Sequence, residues 1–301
     1  MLIFLPTQDR QADDDGGSLY QLIYSLLLRR NVASQFISED TLKSTTVHHG
    51  PILNQVVPGI LAKLGNLPFI LAEPLQIADY FIGLDISRST KTRLPGTINA
   101  CASIRLYGKQ GEFIRYAMED ALLEGEEIPQ RLLERFLPTT LEGKTVLIYR
   151  DGRFCGQEVP CLIKRAKAIQ AKFILVECRK SGVPRLYQSI QYEQQKQVTL
   201  TAPTEGLTLY LSPREAVLVT TKVSEKMGLA KPIRLTIHEA SEPASIQQIV
   251  ETTLKLRLLH HGSLKAPRLP MPLFGADRVA GLRLQGIYPS SALEGDRQFW
   301  L

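Results

Sequence analysis

Two short apolar runs that each close on an aspartate constrain this chain more than any other feature. Tyr80-Phe81-Ile82-Gly83-Leu84-Asp85 and Val146-Leu147-Ile148-Tyr149-Arg150-Asp151 read as strands whose last residue is a carboxylate. A third aspartate, Asp277, opens the amphipathic stretch Ala276-Asp277-Arg278-Val279-Ala280 after a proline-rich loop, and Glu119 lies between the first two. One aspartate at a strand end is ordinarily a cap or turn residue. Several delivered to one point build a site for two divalent cations and an in-line attack on a phosphodiester.

The segments around these runs follow two grammars. In residues 1–77, Leu2–Pro6 reads as a short strand, Leu19–Leu28 as a helix, Ser34–Ser38 as a strand and Ile52–Lys63 as a helix stopped by Gly65, which is doubly wound α/β order. Between them, Gln8–Gly17 reads as an exposed loop in which Asp13, Asp14 and Asp15 are solvated. From Ala78 a mixed sheet opens: a half-buried strand over Thr97–Leu106, a turn at Gly108–Gly111, and a hairpin return over Phe113–Met118. A helix over Glu127–Phe136 feeds the strand ending on Asp151, and a basic helix over Val159–Ile169 leads to the strand Phe173–Glu177. Strands near Gln197–Leu200, Leu207–Leu211, Ala216–Thr220 and Ile233–Ile237 follow, then a helix over Ser245–His260 with Ile246, Ile249, Val250 and Leu254 on one face.

Charge narrows the class of partner. The net charge is +6, and residues 150–200 hold ten Lys/Arg against four Asp/Glu. That concentration fits a polyanion such as nucleic acid, with a solvated basic helix face as the plainer reading. Cys101, Cys155, Cys161 and Cys178 have no CxxC spacing, so neither a zinc site nor a disulfide framework is indicated. Reduced thiols, apolar runs too short to span a bilayer and the lack of a cationic segment before an apolar one lead to the expectation of a cytoplasmic protein with no membrane partner.

The motifs together resemble a known family. Tyr149-Arg150-Asp151-Gly152 with Gly156-Gln157, preceded by Gly83-Leu84-Asp85-Ile86-Ser87-Arg88 and followed by Ala276-Asp277-Arg278-Val279-Ala280, is similar to the PIWI domain of Argonaute proteins of the prokaryotic type. The resemblance implies an α/β chain: an RNase H-like PIWI domain over 78–301, a mixed sheet flanked by helices, preceded over 1–77 by a truncated, Rossmann-like MID domain. It implies a nucleic-acid-guided endonuclease that cuts a single-stranded target paired to a guide, using two Mg²⁺ or Mn²⁺ ions. Asp85, Glu119, Asp151 and Asp277 then correspond to the catalytic tetrad, with Asp85, Asp151 and Asp277 as metal ligands. Glu119 is placed by its spacing in the loop after the hairpin, and Asp120, Glu124 or Glu112 could take its role.

The same resemblance implies a pocket for the 5′ phosphate of the guide, with Gln35, Asn54, Lys63 and the terminal carboxylate of Leu301 as its contacts. Tyr20 matches one position of the family's preceding helix, while Tyr24 stands where a lysine is usual. Without the family, Lys63 near a helix end is ordinary dipole chemistry. Arg150, Arg153, Lys164, Arg165, Lys167, Lys172, Arg179 and Lys180 are candidates for contacts to guide or target phosphates, DNA or RNA. No N-terminal or PAZ domain is expected within these residues, so a fragment, a split gene or a partner chain carrying the PAZ domain are the accompanying expectations. A guide-binding module without turnover and an unguided RNase H-like nuclease are the alternative functions.

Overall fold

The computed structural model describes residues 1–6, 18–43, 49–90, 98–122, 127–191, 198–223, 228–263, 265–289 and 294–301. The aspartate triplet Asp13–Asp15 lies outside them.

Ahead of the main sheet, β1 (Leu2–Leu5) and β2 (Gln35–Ser38) pair in parallel, from Leu2 beside Gln35 to Leu5 beside Ser38. Parallel neighbours need a crossover, which α1 (Leu19–Arg29) lies within. After β2 come the single turn α2 (Glu39–Leu42) and α3 (His49–Lys63), and Gly65, at φ 91°, turns the chain out of the helix.

The larger unit adds β3 (Tyr80–Thr90), β4 (Ile98–Tyr107), β5 (Phe113–Leu122), α4 (Gln130–Phe136), β6 (Thr145–Asp151), α5 (Glu158–Ala168) and β7 (Lys172–Arg179). It continues with a separate hairpin of β8 (Gln188–Gln191) and β9 (Val198–Thr201). Then come β10 (Thr208–Ser212), β11 (Glu215–Leu218), β12 (Ile233–Ile237), α6 (Ile246–Arg257), α7 (Met271–Leu284) and the short β13 (Glu294–Gly295). Nine strands form one sheet in the order β10-β11-β12-β7-β6-β3-β4-β5-β13, parallel through β3, β6 and β7 and antiparallel elsewhere.

Alternation along the central strands separates two cores. Val146 and Ile148 of β6 join Leu132 and Leu133 of α4 and Leu162 and Ala166 of α5. Leu147 and Tyr149 face Ile249 and Val250 of α6 and Met271, Leu273 and Val279 of α7, a cluster that also takes in Tyr24 and Leu28 of α1 and the terminal Phe299 and Trp300. The sheet is therefore sandwiched between helix layers, the arrangement that buries strands on both faces. No helix among the described residues is long and apolar enough to cross a membrane.

Three sequence expectations shift. β3 does not end at Asp85 but runs on to Thr90, because it keeps pairing with β4 after its pairing with β6 stops at Leu84 and Arg150. β5 runs to Leu122, so Glu119 sits in a strand opposite Ala102 and not in a loop after the hairpin. Asp277 lies inside α7, whose first turn carries Pro272, a residue pre-set for that position.

Candidate active site

β3 and β6 share a register in which Leu84 lies beside Arg150, and the next residue on each strand is an aspartate. Gly83 lets α7 come down on this point. A Cβ there would meet the backbone of Pro272 and Leu273 at 2.1–2.5 Å, so only glycine permits the approach. The result is that carboxylate oxygens of Asp85, Asp151 and Asp277 all lie within 4.8 Å of one another.

Asp85 is the buried member, 4% exposed, and its Oδ2 accepts a hydrogen bond from Ser87 Oγ at 3.2 Å. Burial, reinforced by the negative charges of Asp151 and Asp277, pushes its pKa up to about 7. Positive charge comes from Lys180. β7 runs parallel to β6 with Cys178 opposite Asp151, and Lys180 follows two residues later. Its Nζ lies 2.5 Å from Asp151 Oδ2 and 3.0 Å from Asp277 Oδ1. Burial works against its charge, but the two carboxylates raise its pKa above the ordinary lysine value. Three hard oxygen donors in one place, already drawing in a side-chain cation, fit a divalent metal ion.

Glu119 is not brought to this point. It lies in register with Ala102 and Ile86, one residue out of phase with Asp85, and so projects from the opposite face of the sheet. There its Oε2 is 3.0 Å from Arg135 Nη1 of α4. Glu112 accepts from Gln110 N at 2.8 Å within the hairpin turn, and the side chains of Asp120 and Glu124 lie outside the described residues.

The expectation for Arg150 is corrected. It alternates with Val146 and Ile148 on an inward face, is 2% exposed, and places Nε 3.1 Å from Glu158 Oε2, so it cannot reach a phosphate. Arg165 donates to Leu137 O at 2.9 Å, and Arg179 pairs with Glu215 at 3.4 Å. Arg153, Lys164, Lys167 and Lys172 are exposed.

Lys63 and Gln35 come together beneath α1. Lys63 Nζ, only 7% exposed, donates to Ser34 O at 2.9 Å and to Gln35 Oε1 at 3.0 Å. Burial lowers its pKa to about 8. It borders a cavity of about 260 Å³ lined also by Tyr24, Ser34, Tyr116, Arg297 and Phe299. The Tyr24 hydroxyl donates to Phe299 O, and Tyr20, Tyr24 and Phe36 pack their rings together. Asn54 is exposed on α3, roughly two and a half turns before Lys63, and does not join the pair. Leu301 is half-buried with its side chain against Gly262.

The sequence matches the family model of the Piwi domain over residues 12–287. The chain belongs to the Piwi family. A protein argonaute of Aquifex aeolicus is 28% identical to this Piwi chain over 309 residues, covering all of it and 41% of the relative. The protein argonaute of Thermus thermophilus is 28% identical over 267 residues, 85% of this chain and 35% of that protein. The Piwi chain thus spans about two fifths of the length of the curated relatives it matches, a C-terminal part of them. Among solved structures, the Aquifex Argonaute with externally bound siRNA superposes over the whole chain with a TM-score of 0.74 at 26% identity, on 41% of that chain. Clostridium butyricum Argonaute, bound to a guide DNA and a 19-mer target DNA, gives a TM-score of 0.81 over the whole chain and 39% of its own; at 21% identity this speaks to the fold.

Proposed function

We propose that this Piwi chain carries the cleavage centre and the guide-phosphate pocket of a nucleic-acid-guided endonuclease acting on a single-stranded target. The observation that supports it is the convergence of Asp85, Asp151 and Asp277 from β3, β6 and α7. In this reading 78–301 is the nuclease domain and 1–77 the remaining part of a MID domain. Asp85, Asp151 and Asp277 would hold Mg²⁺ or Mn²⁺, which would supply a lowered water pKa and the positive charge that a leaving oxygen needs. The protein's own part is to hold and orient the ligands: Ser87 fixes one oxygen of Asp85, and Gly83 sets the height of Asp277 above the sheet. Lys63 and Gln35 anchor the guide phosphate, while Arg153, Lys164 and Lys167 grip backbone phosphates that carry no sequence information. Base pairing to the guide then selects the target, as in other guided nucleases.

The test is cleavage of a labelled single strand by protein loaded with a complementary 5′-phosphorylated guide in Mg²⁺ or Mn²⁺. We expect one cut opposite a fixed guide position, lost in Asp151→Asn and with an unmatched guide. Lys63→Ala weakens binding of 5′-phosphorylated strands more than 5′-hydroxyl strands; equal weakening would remove the guide-pocket assignment. A guide-binding module without turnover is the second reading, favoured by Glu119, which is held by Arg135 on the far face of the sheet. Retained guide with no cut would decide for it. A PAZ-bearing partner chain or segment would supply the hold on the guide's other end.

A further inference from the structure

This inference rests on the metal-centre reading and concerns a residue that reading does not use. We propose that Lys180 is a built-in counter-cation of the aspartate triad, and that its ammonium is the group a divalent ion must expel on entering, so that Lys180 sets the metal concentration the site requires.

The geometry sets the two cations in competition for the same two carboxylates. Lys180 Nζ lies 2.5 Å from Asp151 Oδ2 and 3.0 Å from Asp277 Oδ1. Divalent ions ligated by carboxylates sit at about 2.0–2.6 Å from the same oxygens. An ion held by the oxygens that now accept from Lys180 would therefore overlap the ammonium nitrogen. Among the described residues, both ion pairs of these aspartates go to Lys180 and to no other side chain. Asp85, the buried member, takes its hydrogen bond from Ser87 instead.

The residue type and its mounting suit a group that leaves. The Lys180 main chain is held, because Arg268 donates to its carbonyl at 2.6 Å and also to Pro232 O. Its side chain is a third exposed, so the ammonium has a path to water. A lysine stem can swing through its own torsions, whereas an arginine fork fixed on two carboxylates could not be displaced so simply. The counter-cation also has a use before metal arrives. Three carboxylates within 4.8 Å repel one another, and a single ammonium between two of them relieves that repulsion.

The experiment is Mn²⁺ binding to the metal-free protein, read from the electron paramagnetic resonance signal of free Mn²⁺, for wild type, Lys180→Met and Asp151→Asn. Lys180→Met should bind Mn²⁺ roughly tenfold or more tightly than wild type, since a unit charge at hydrogen-bond range of two ligands is removed. Its metal-free melting temperature should fall, and saturating Mn²⁺ should raise it by more than it raises wild type. A lysine that merely braced the loop would show the reverse, weaker binding on removal. Lys180→Gln, neutral and polar, must show the same gain and serves if methionine disturbs folding. Binding equal to or weaker than wild type, still lost in Asp151→Asn, overturns the role of Lys180 alone. No saturable binding in wild type or in either Lys180 variant overturns the metal-centre reading and this proposal with it.

Discussion

The nine-stranded sheet and the two-stranded unit ahead of it use the same apolar vocabulary with opposite results. Phe81, Ile82 and Leu84 of β3 and Val146 to Tyr149 of β6 are wholly buried, because α4 and α5 cover one face and α6 and α7 the other. In β1, Leu2 and Phe4 are 52% and 58% exposed, and Leu19, Leu22 and Leu26 of α1 and Leu53 and Val57 of α3 are open as well. The side of α1 carrying Tyr24 and Leu28 is buried in the cluster that also holds Phe299 and Trp300, with the Tyr24 ring on Phe36 and its hydroxyl on the Phe299 carbonyl. An apolar run becomes core when a second layer exists to receive it. Where no described residue supplies a second layer, the same run is a surface that a covering segment or partner can occupy.

The sharpest way to break this contrast is to cut the joint. Trp300 packs against Phe113, Tyr116 and Phe299 and stacks 3.2 Å from the buried Arg105 guanidinium. Trp300→Ala should cost about 3–5 kcal/mol. In native-state hydrogen exchange, amides of α1 and α3 should then lose protection while those of β3, β6 and β7 keep it. Uniform loss would mean that the two regions are one cooperative unit.

A pH series separates them with effects of no more than about 3–4 kcal/mol, opposite in direction. Asp85, raised from 3.8 to about 7, holds a proton more tightly folded than unfolded, so the metal-free protein should lose stability as pH rises between those values. Asp85→Asn should abolish that loss in urea melts. Lys63 is lowered from 10.5 to about 8, so its unfolded form binds the extra proton and stability should rise with pH across that window, a rise removed by Lys63→Ala. The smallest effect sharpens the surface itself. Phe4→Lys should change unfolding free energy by no more than about 0.5 kcal/mol. It should still reduce concentration-dependent association in sedimentation if that face is the adhesive one.

Much of this layout was legible in the residues. Apolar runs and helical recurrence located the central strands and helices, and the aspartates closing two runs proved to be strand neighbours because both runs lie in parallel at one register. Arg150 was misread from charge, although its place in alternation with Val146 and Ile148 already turned it inward, where Glu158 receives it. Lys180 was grouped with the phosphate contacts because local charge counts do not say which lysine folds back. Aligning Val146–Asp151 with Phe173–Cys178 as neighbouring parallel strands was the signal that could have placed it beside Asp151. Glu119 illustrates the limit of spacing: one residue of phase along β5 decides which face of the sheet it serves. Nothing local could reveal that Arg105 and Trp300 meet, since they come from opposite ends of the larger unit.

The bond from the Tyr24 hydroxyl to the Phe299 carbonyl spans 275 positions of sequence. A ribosome extends a chain at about 5–20 residues per second, so on the order of tens of seconds pass between the synthesis of the two partners. Throughout that interval α1 can pack on Phe36 of β2, but the Phe299 carbonyl that the Tyr24 hydroxyl will reach does not yet exist. The side of α1 that carries Tyr24 therefore completes its contacts only after Phe299 has been made.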